Sequence, residues 1–120
     1  MLVEIDSSST QPLSEQVAAA VRRAMLAGSL RVGDRLPAAR DLAGALGISM
    51  HTVLRGYQML RAEKLIELRR GRGAVVVASA PQDRAAVVEH ARQLVTAARR
   101  IGMPDAETLA LVSTCMDREQ

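Results

Sequence analysis

Residues 47–57 read Gly-Ile-Ser-Met-His-Thr-Val-Leu-Arg-Gly-Tyr and gather side chains suited to recognition. Ser49, Met50, His51 and Thr52 are consecutive, and Arg55 follows one turn later if the stretch is helical. Hydroxyl, imidazole and guanidinium groups at that spacing can meet base edges or phosphate oxygens. A second set, Arg70-Gly71-Arg72-Gly73, puts two guanidiniums on glycine-flanked backbone. Catalysis has far less to work with. His51 and His90 are the only histidines, and His90 merely adjoins Glu89; neighbouring helical residues point apart. No zinc-ligand spacing, nucleophile elbow or pair of acids is present, so we expect no enzyme, no metal and no cofactor. The Gly-Arg-Gly run lacks the Lys-Ser/Thr of a phosphate-binding loop and the spacing of a dinucleotide fingerprint.

Two punctuation residues position the first set. Gly47 can take the left-handed conformation that closes a helix over residues 39–46, with Leu42, Ala43 and Leu46 inward and Arg40 outward. Ser49 is a good N-cap for the next helix, residues 50–62, which buries Val53, Gly56 or Tyr57, and Leu60. Helices joined by so short a turn cross steeply, which is a helix-turn-helix. The second helix of such a pair presents its N-terminal residues to the DNA major groove. An ordinary corner of a helical core would carry the same turn, so the flanks decide.

Upstream, a short strand is expected over residues 2–5. A first helix follows over residues 12–27, with Leu13, Val17, Val21 and Ala24 on one face and Arg22 and Arg23 on the outer face; Gly28 ends it. Residues 31–34 read as a turn. Downstream, Ile66-Glu67-Leu68-Arg69 alternates with period two, and residues 74–77 are rich in β-branched side chains. They predict a β-hairpin whose tip carries Arg70 and Arg72. A helix-turn-helix followed by a basic hairpin is a winged helix.

Charge is unevenly spread. Residues 1–21 carry three carboxylates and no base, whereas residues 22–72 carry ten arginines and Lys64 against four carboxylates, a net of +7. Residues 73–120 return to −1. A basic middle between neutral or acidic ends is the footprint of a polyanion-binding surface. A solvated arginine-rich surface would explain the total of +3 but not its confinement. The hydrophobic content of 48% suffices for a core, which must be aliphatic because the chain has one Tyr and neither Phe nor Trp. That same shortage disfavours single-stranded nucleic acid, whose bases need stacking platforms. A single cysteine, Cys115, excludes an intrachain disulfide and is read as a small buried hydrophobe in a reducing cytoplasm. No signal peptide or membrane-length apolar run is seen, so no membrane partner is expected.

The run Leu36-Pro37-Ala38-Ala39-Arg40-Asp41-Leu42-Ala43, then Leu46-Gly47-Ile48-Ser49, Thr52-Val53, Tyr57-Gln58-Met59-Leu60 and Arg70-Gly71-Arg72-Gly73, resembles the GntR family of bacterial transcription regulators over residues 12–77. The resemblance implies that Arg40, the recognition-helix residues Ser49, His51 and Thr52, and the wing-tip residues Gly71 and Arg72 contact operator DNA. Met50 and Leu54 stand where the family commonly has Arg, Ala38 where an N-cap Ser is frequent, and Lys64 where a Gly usually ends the helix. Arg55, a small residue and Tyr57 resemble the YtrA-type subgroup.

The tail fits that subgroup. Residues 78–82 read as a linker. Residues 83–100 form an amphipathic helix with Val87, Ala91, Leu94, Val95 and Ala98 on one face. Gly102 ends it, Pro104 starts another, and Leu109, Val112 and Met116 form a second stripe beside Cys115. The physical reading of two such stripes is a dimerisation hairpin, against packing back onto the same chain. The tail resembles that of YtrA-type regulators, a short two-helix tail that dimerises, without a sizeable effector domain.

The expected fold is therefore α+β, mainly α: a winged helix-turn-helix domain (residues 1–77), a linker (78–82) and a two-helix dimerisation hairpin (83–120). The expected function is a cytoplasmic homodimeric repressor binding a pseudo-palindromic double-stranded DNA operator. Its recognition helix spans residues 50–62 and its wing 69–74, with Arg40, Ser49, Met50, His51, Thr52, Arg55, Arg70, Gly71, Arg72 and Gly73 as DNA contacts. The alternative is a winged-helix protein–protein module, which explains the fold but not the segregated arginines. Nothing in the sequence names a small-molecule effector.

Overall fold

The computed structural model describes residues 3–119. In chain order the elements are α1 (Leu13–Leu26), α2 (Ala39–Leu46), α3 (Met50–Ala62), β1 (Ile66–Arg69), β2 (Gly73–Val76), α4 (Pro81–Arg100) and α5 (Asp105–Glu119). The chain divides into two compact units, Met1–Ala86 and Val87–Gln120. It is a mainly helical α+β fold with one small antiparallel sheet, a winged helix-turn-helix followed by two tail helices.

The first unit is built on α1. Val17, Val21 and Met25 are fully buried and pack with Val53, Tyr57 and Leu60 of α3 in the same aliphatic core. The helices approach closely at Gly56, where an added Cβ would lie 2.9 Å from Ser14 O and 3.0 Å from Val17 Cγ1. α2 has only eight residues, too few to persist alone, so Leu42 and Ala43 hold it by burial. The residue before it, Ala38, stands at the N-cap and supplies no side-chain cap.

Arg22 does not lie on an outer face. It is 0% exposed, with Nη1 3.8 Å from Glu63 Oε1. The expectation assumed a one-sided amphipathic helix, but α1 is buried on more than one side. The first turns of α4 belong to the same unit: Gln82 Nε2 donates to Leu26 O (2.9 Å), Arg84 Nε donates to Glu63 O (3.0 Å), and Ala85 is fully buried. Helix α4 consequently starts at Pro81, inside the stretch read as a linker.

Residues 3–5 form no strand, and Leu2 lies outside the described residues. The Gln16 side chain takes the backbone groups beside them instead. Its Oε1 accepts from Asp6 N (2.7 Å), and its Nε2 donates to Asp6 O (2.9 Å) and Gln11 O (3.0 Å).

The hairpin pairs Ile66 with Val76, Glu67 with Val75, Leu68 with Ala74 and Arg69 with Gly73. It begins β2 one residue earlier than the sequence pattern suggested. A third arm lies against β2: Arg35 bridges Val75, Leu36 N donates to Ala74 O (2.8 Å), and Val76 N donates to Asp34 O (2.8 Å). β2 is buried from Ala74 to Val76, whereas on β1 only Ile66 is buried and Leu68, near the tip, is exposed.

Helix α3 ends in a Schellman motif. Leu65 N donates to Leu60 O (3.0 Å), Lys64 N donates to Arg61 O (2.9 Å), and both leucines are fully buried. The motif needs a left-handed residue, and Lys64 supplies it at φ +61°, the only non-glycine with positive φ among the described residues. That conformation costs an L-residue about 1–2 kcal/mol. Glycine removes the strain but adds unfolded-state entropy, so Lys64→Gly should stabilise the protein by a net ~0.5–1 kcal/mol. The denaturant midpoint measures this, and a lowered midpoint would mean that Lys64 makes a compensating contact.

Candidate nucleic-acid interface

The turn that aims α3 is assembled as its residue types require. Gly47 adopts φ 68° and ψ 32°, and Ile48 N donates to Ala43 O (3.1 Å), closing α2. Ser49 then opens α3. Its Oγ accepts from Thr52 N (3.1 Å) and lies 2.9 Å from Thr52 Oγ1. Ser49 therefore acts first as a cap, worth about 1 kcal/mol, and its hydroxyl is shared with Thr52, which is itself half-buried.

Burial of Val53, Gly56, Tyr57 and Leu60 fixes the rotation of α3. At 100° per residue, the opposite face centres on His51, Arg55 and Gln58, all exposed. Met50 and Leu54 form one shoulder of that face, and Thr52 and Met59 the other. Gln58 did not feature among the candidate residues. Its signal was available, three residues after Arg55 and seven after His51 on the same helical stripe. Arg61 Nη1 donates to Gln58 Oε1 (3.3 Å), orienting that amide.

Tyr57 ties α3 to the entry of α2. Its hydroxyl donates to Pro37 O (2.6 Å). Arg40, on the first turn of α2, is exposed. The wing tip is equally open, with Arg70, Gly71, Arg72 and Gly73 all exposed. Gly71 and Gly73 both take positive φ (79° and 75°), which lets Arg72 stand between them without steric conflict. Arg72 N donates to Arg69 O (3.0 Å), and Arg35 Nε donates to Arg72 O (2.9 Å). Arg35 thus braces the tip from outside the hairpin. The sequence pattern placed it next to a turn and gave no hint of this contact, which spans 37 residues. Arg69 Nε lies 3.0 Å from Glu67 Oε2 on the exposed strand.

The second unit buries almost nothing. Of its described residues only Ala98 and Thr108 are buried, and Thr108 Oγ1 donates to Pro104 O (3.2 Å). Ala98 was expected on an outer interface; it is instead enclosed by its own helix pair. Val87, Ala91, Val95, Leu109 and Met116 are exposed, and Leu94 and Val112 half-buried. Ile101, 74% exposed, belongs with them and was missed because it lies past the last helical turn. Cys115 is exposed rather than buried, because no element covers its face of α5. Among the described residues no cluster of His, Cys, Asp or Glu could hold a metal, and no helix is long and apolar enough to cross a membrane.

Residues 13–76 match the family described as bacterial regulatory proteins, gntR family. The chain belongs to this family. It is 32% identical over 115 residues to HTH-type transcriptional regulator Rv1152 of Mycobacterium tuberculosis, covering 96% of this chain and 94% of that one. It is 35% identical over 75 residues to HTH-type transcriptional repressor YtrA of Bacillus subtilis, covering 62% of this chain and 58% of that one. Among solved structures, YtrA from Sulfolobus acidocaldarius superposes with a TM-score of 0.62 at 30% identity, covering 78% of this chain and 98% of that chain. The chain is thus a YtrA-type GntR protein, a DNA-binding regulator of transcription and not an enzyme.

The site is also built around a titratable group. Burial pushes the Tyr57 phenol up from 10.0 to about 12. A raised folded value favours the neutral phenol, so its contribution to stability is complete below pH 10 and disappears as pH rises from 10 towards about 12. Tyr57 is the only tyrosine, so tyrosinate absorbance reads it directly. The folded chain should titrate at higher pH than the denatured one. Tyr57→Phe should lose about 1 kcal/mol at neutral pH with the Pro37 hydrogen bond and remove this alkaline component. Coincident folded and denatured titrations would show that the ring is solvated.

Proposed function

We propose that the protein is a cytoplasmic homodimeric repressor that binds a pseudo-palindromic operator. Helix α3 is its recognition helix, residues 69–74 its wing, and the α4–α5 tail its dimerisation element. The observation that carries the reading is the orientation of α3. Its inward face is locked by Val53, Tyr57 and Leu60, which leaves His51, Arg55 and Gln58 facing out, and Arg40 is exposed on α2. Residues 22–72 hold the chain's excess positive charge, which suits phosphate. A protein–protein module would not need the arginines confined there. Repression is supported by the Bacillus subtilis relative, which is a transcriptional repressor.

Roles within the surface follow from depth along α3. His51 and Thr52, in its first turn, sit where base edges are met. Arg55 lies further in and suits a phosphate. Arg72, extended between two glycines and braced by Arg35, suits a narrow minor groove, whose negative potential attracts arginine. Affinity for duplex DNA should fall steeply between about 50 and 200 mM salt. Arg55→Ala should weaken all duplexes alike and lower the salt slope by about one. His51→Ala should lose about 1–3 kcal/mol on the cognate site alone. Arg72→Ala should hurt most where the wing meets A·T-rich sequence. Titrations on cognate, scrambled and A·T-to-G·C-substituted duplexes separate these effects. Intact specificity in His51→Ala with lost specificity in Arg55→Ala would shift the recognition register by about one turn.

The tail supports dimerisation because Val87 (67% exposed) and Leu109 (71% exposed) leave apolar surface in water. Each gains about 1.5–3 kcal/mol on full burial. Val87→Asp with Leu109→Asp should give a folded monomer in analytical ultracentrifugation, since neither side chain supports its own unit's core. A dimer that survives both changes would place the interface elsewhere, such as on α1.

A further inference from the structure

Met50 is the first residue of α3, directly after the Ser49 cap, and it is 42% exposed. The face it borders is polar and cationic: His51 and Arg55 are exposed there on the same helix, and Arg40 is exposed on α2. Its exposed part adds nothing to the core, which Val53, Tyr57 and Leu60 fill. Leu54, four residues on and half-buried, shares its shoulder and extends the apolar strip. Met50 carries no hydrogen-bond donor, so it cannot read guanine as an arginine would. In the major groove the base edges are donors and acceptors with one exception, the 5-methyl group of thymine. The unbranched, polarizable methionine side chain adapts well to such a small apolar knob.

We propose that Met50 is a specificity residue that recognises thymine by packing on its 5-methyl group, once in each half-site. This rests on the assignment of α3 as the recognition helix. It adds a chemical rule: at the base pair facing Met50, discrimination comes from a methyl contact, while hydrogen bonds from the neighbouring residues serve other positions.

Deoxyuridine gives a direct test, because it removes the thymine methyl and leaves every hydrogen-bonding group in place. Duplexes selected from a random pool by the full-length protein are resynthesised with each thymine replaced in turn. Binding is then measured for the wild type, Met50→Ala and Met50→Leu. One thymine per half-site should show about a fourfold loss for the wild type on replacement, the scale of one buried methyl group. Met50→Leu, which keeps an apolar tip, should retain most of that loss. Met50→Ala should bind the thymine and deoxyuridine duplexes equally, with its affinity for scrambled DNA unchanged. Methyl sensitivity that persists in full in Met50→Ala, or that appears at no thymine, overturns the proposal while leaving the recognition helix in place. A uniform loss on all duplexes in Met50→Ala also overturns it, because the residue would then be structural. A wild type that selects no duplex overturns the recognition-helix assignment and this proposal together.

Discussion

The contact on which the DNA-binding unit depends is the one made by a missing side chain. Gly56 lets α3 lie against Ser14 and Val17 of α1 at a separation where even a methyl group would force the backbone to move. Overpacking of this kind costs about 1–3 kcal/mol. Because α3 is seated so closely, its neighbour Tyr57 comes within reach of Pro37 O, which fixes where α2 begins. The turn at Gly47 then has a defined span to close, and the outward face of α3 has one orientation. The proposed recognition surface is thus positioned from behind, by aliphatic packing and a single phenol, while its own polar side chains stay exposed.

Much of this was legible because the signals are local. Gly47 and Ser49 mark the end of α2 and the start of α3, and the 3.6-residue period fixes which residues of α3 turn inward. The period-two run at Ile66 and the Gly-Arg-Gly tip mark the hairpin. What escaped is long-range. The Arg35 contacts with Val75 and Arg72 join residues about forty positions apart, and no pattern around Arg35 announces them. Arg22 looked solvated because one helix period cannot reveal that Glu63, far along the chain, lies beside it. The N-terminal strand failed for the same reason, since the Gln16 side chain, not a neighbouring strand, takes the backbone groups of Asp6.

The two units differ in how they use apolar residues. The first encloses a core of leucine, valine and isoleucine with one aromatic ring, and it even accommodates the Arg22–Glu63 pair. The second has the same kinds of residue but encloses only Ala98 and Thr108 among those described. Helices of 20 and 15 residues with so little shared core gain little from each other. A second copy of the chain, in the proposed dimer, would supply the missing surface. On that reading the helix pair is half of a core.

The wing has a further consequence for how the protein behaves at high concentration. A two-stranded hairpin presents open edges, and such edges invite pairing with the strands of other molecules. Here the β2 edge is already taken by the arm around Arg35, so β1 alone remains open. That edge is only four residues long and carries Glu67 and Arg69, held together at 3.0 Å, beside a tip bearing two more arginines. Shortness and charge make it a poor template for strand addition. The arginines suited to gripping a polyanion also discourage these hairpins from stacking into aggregates.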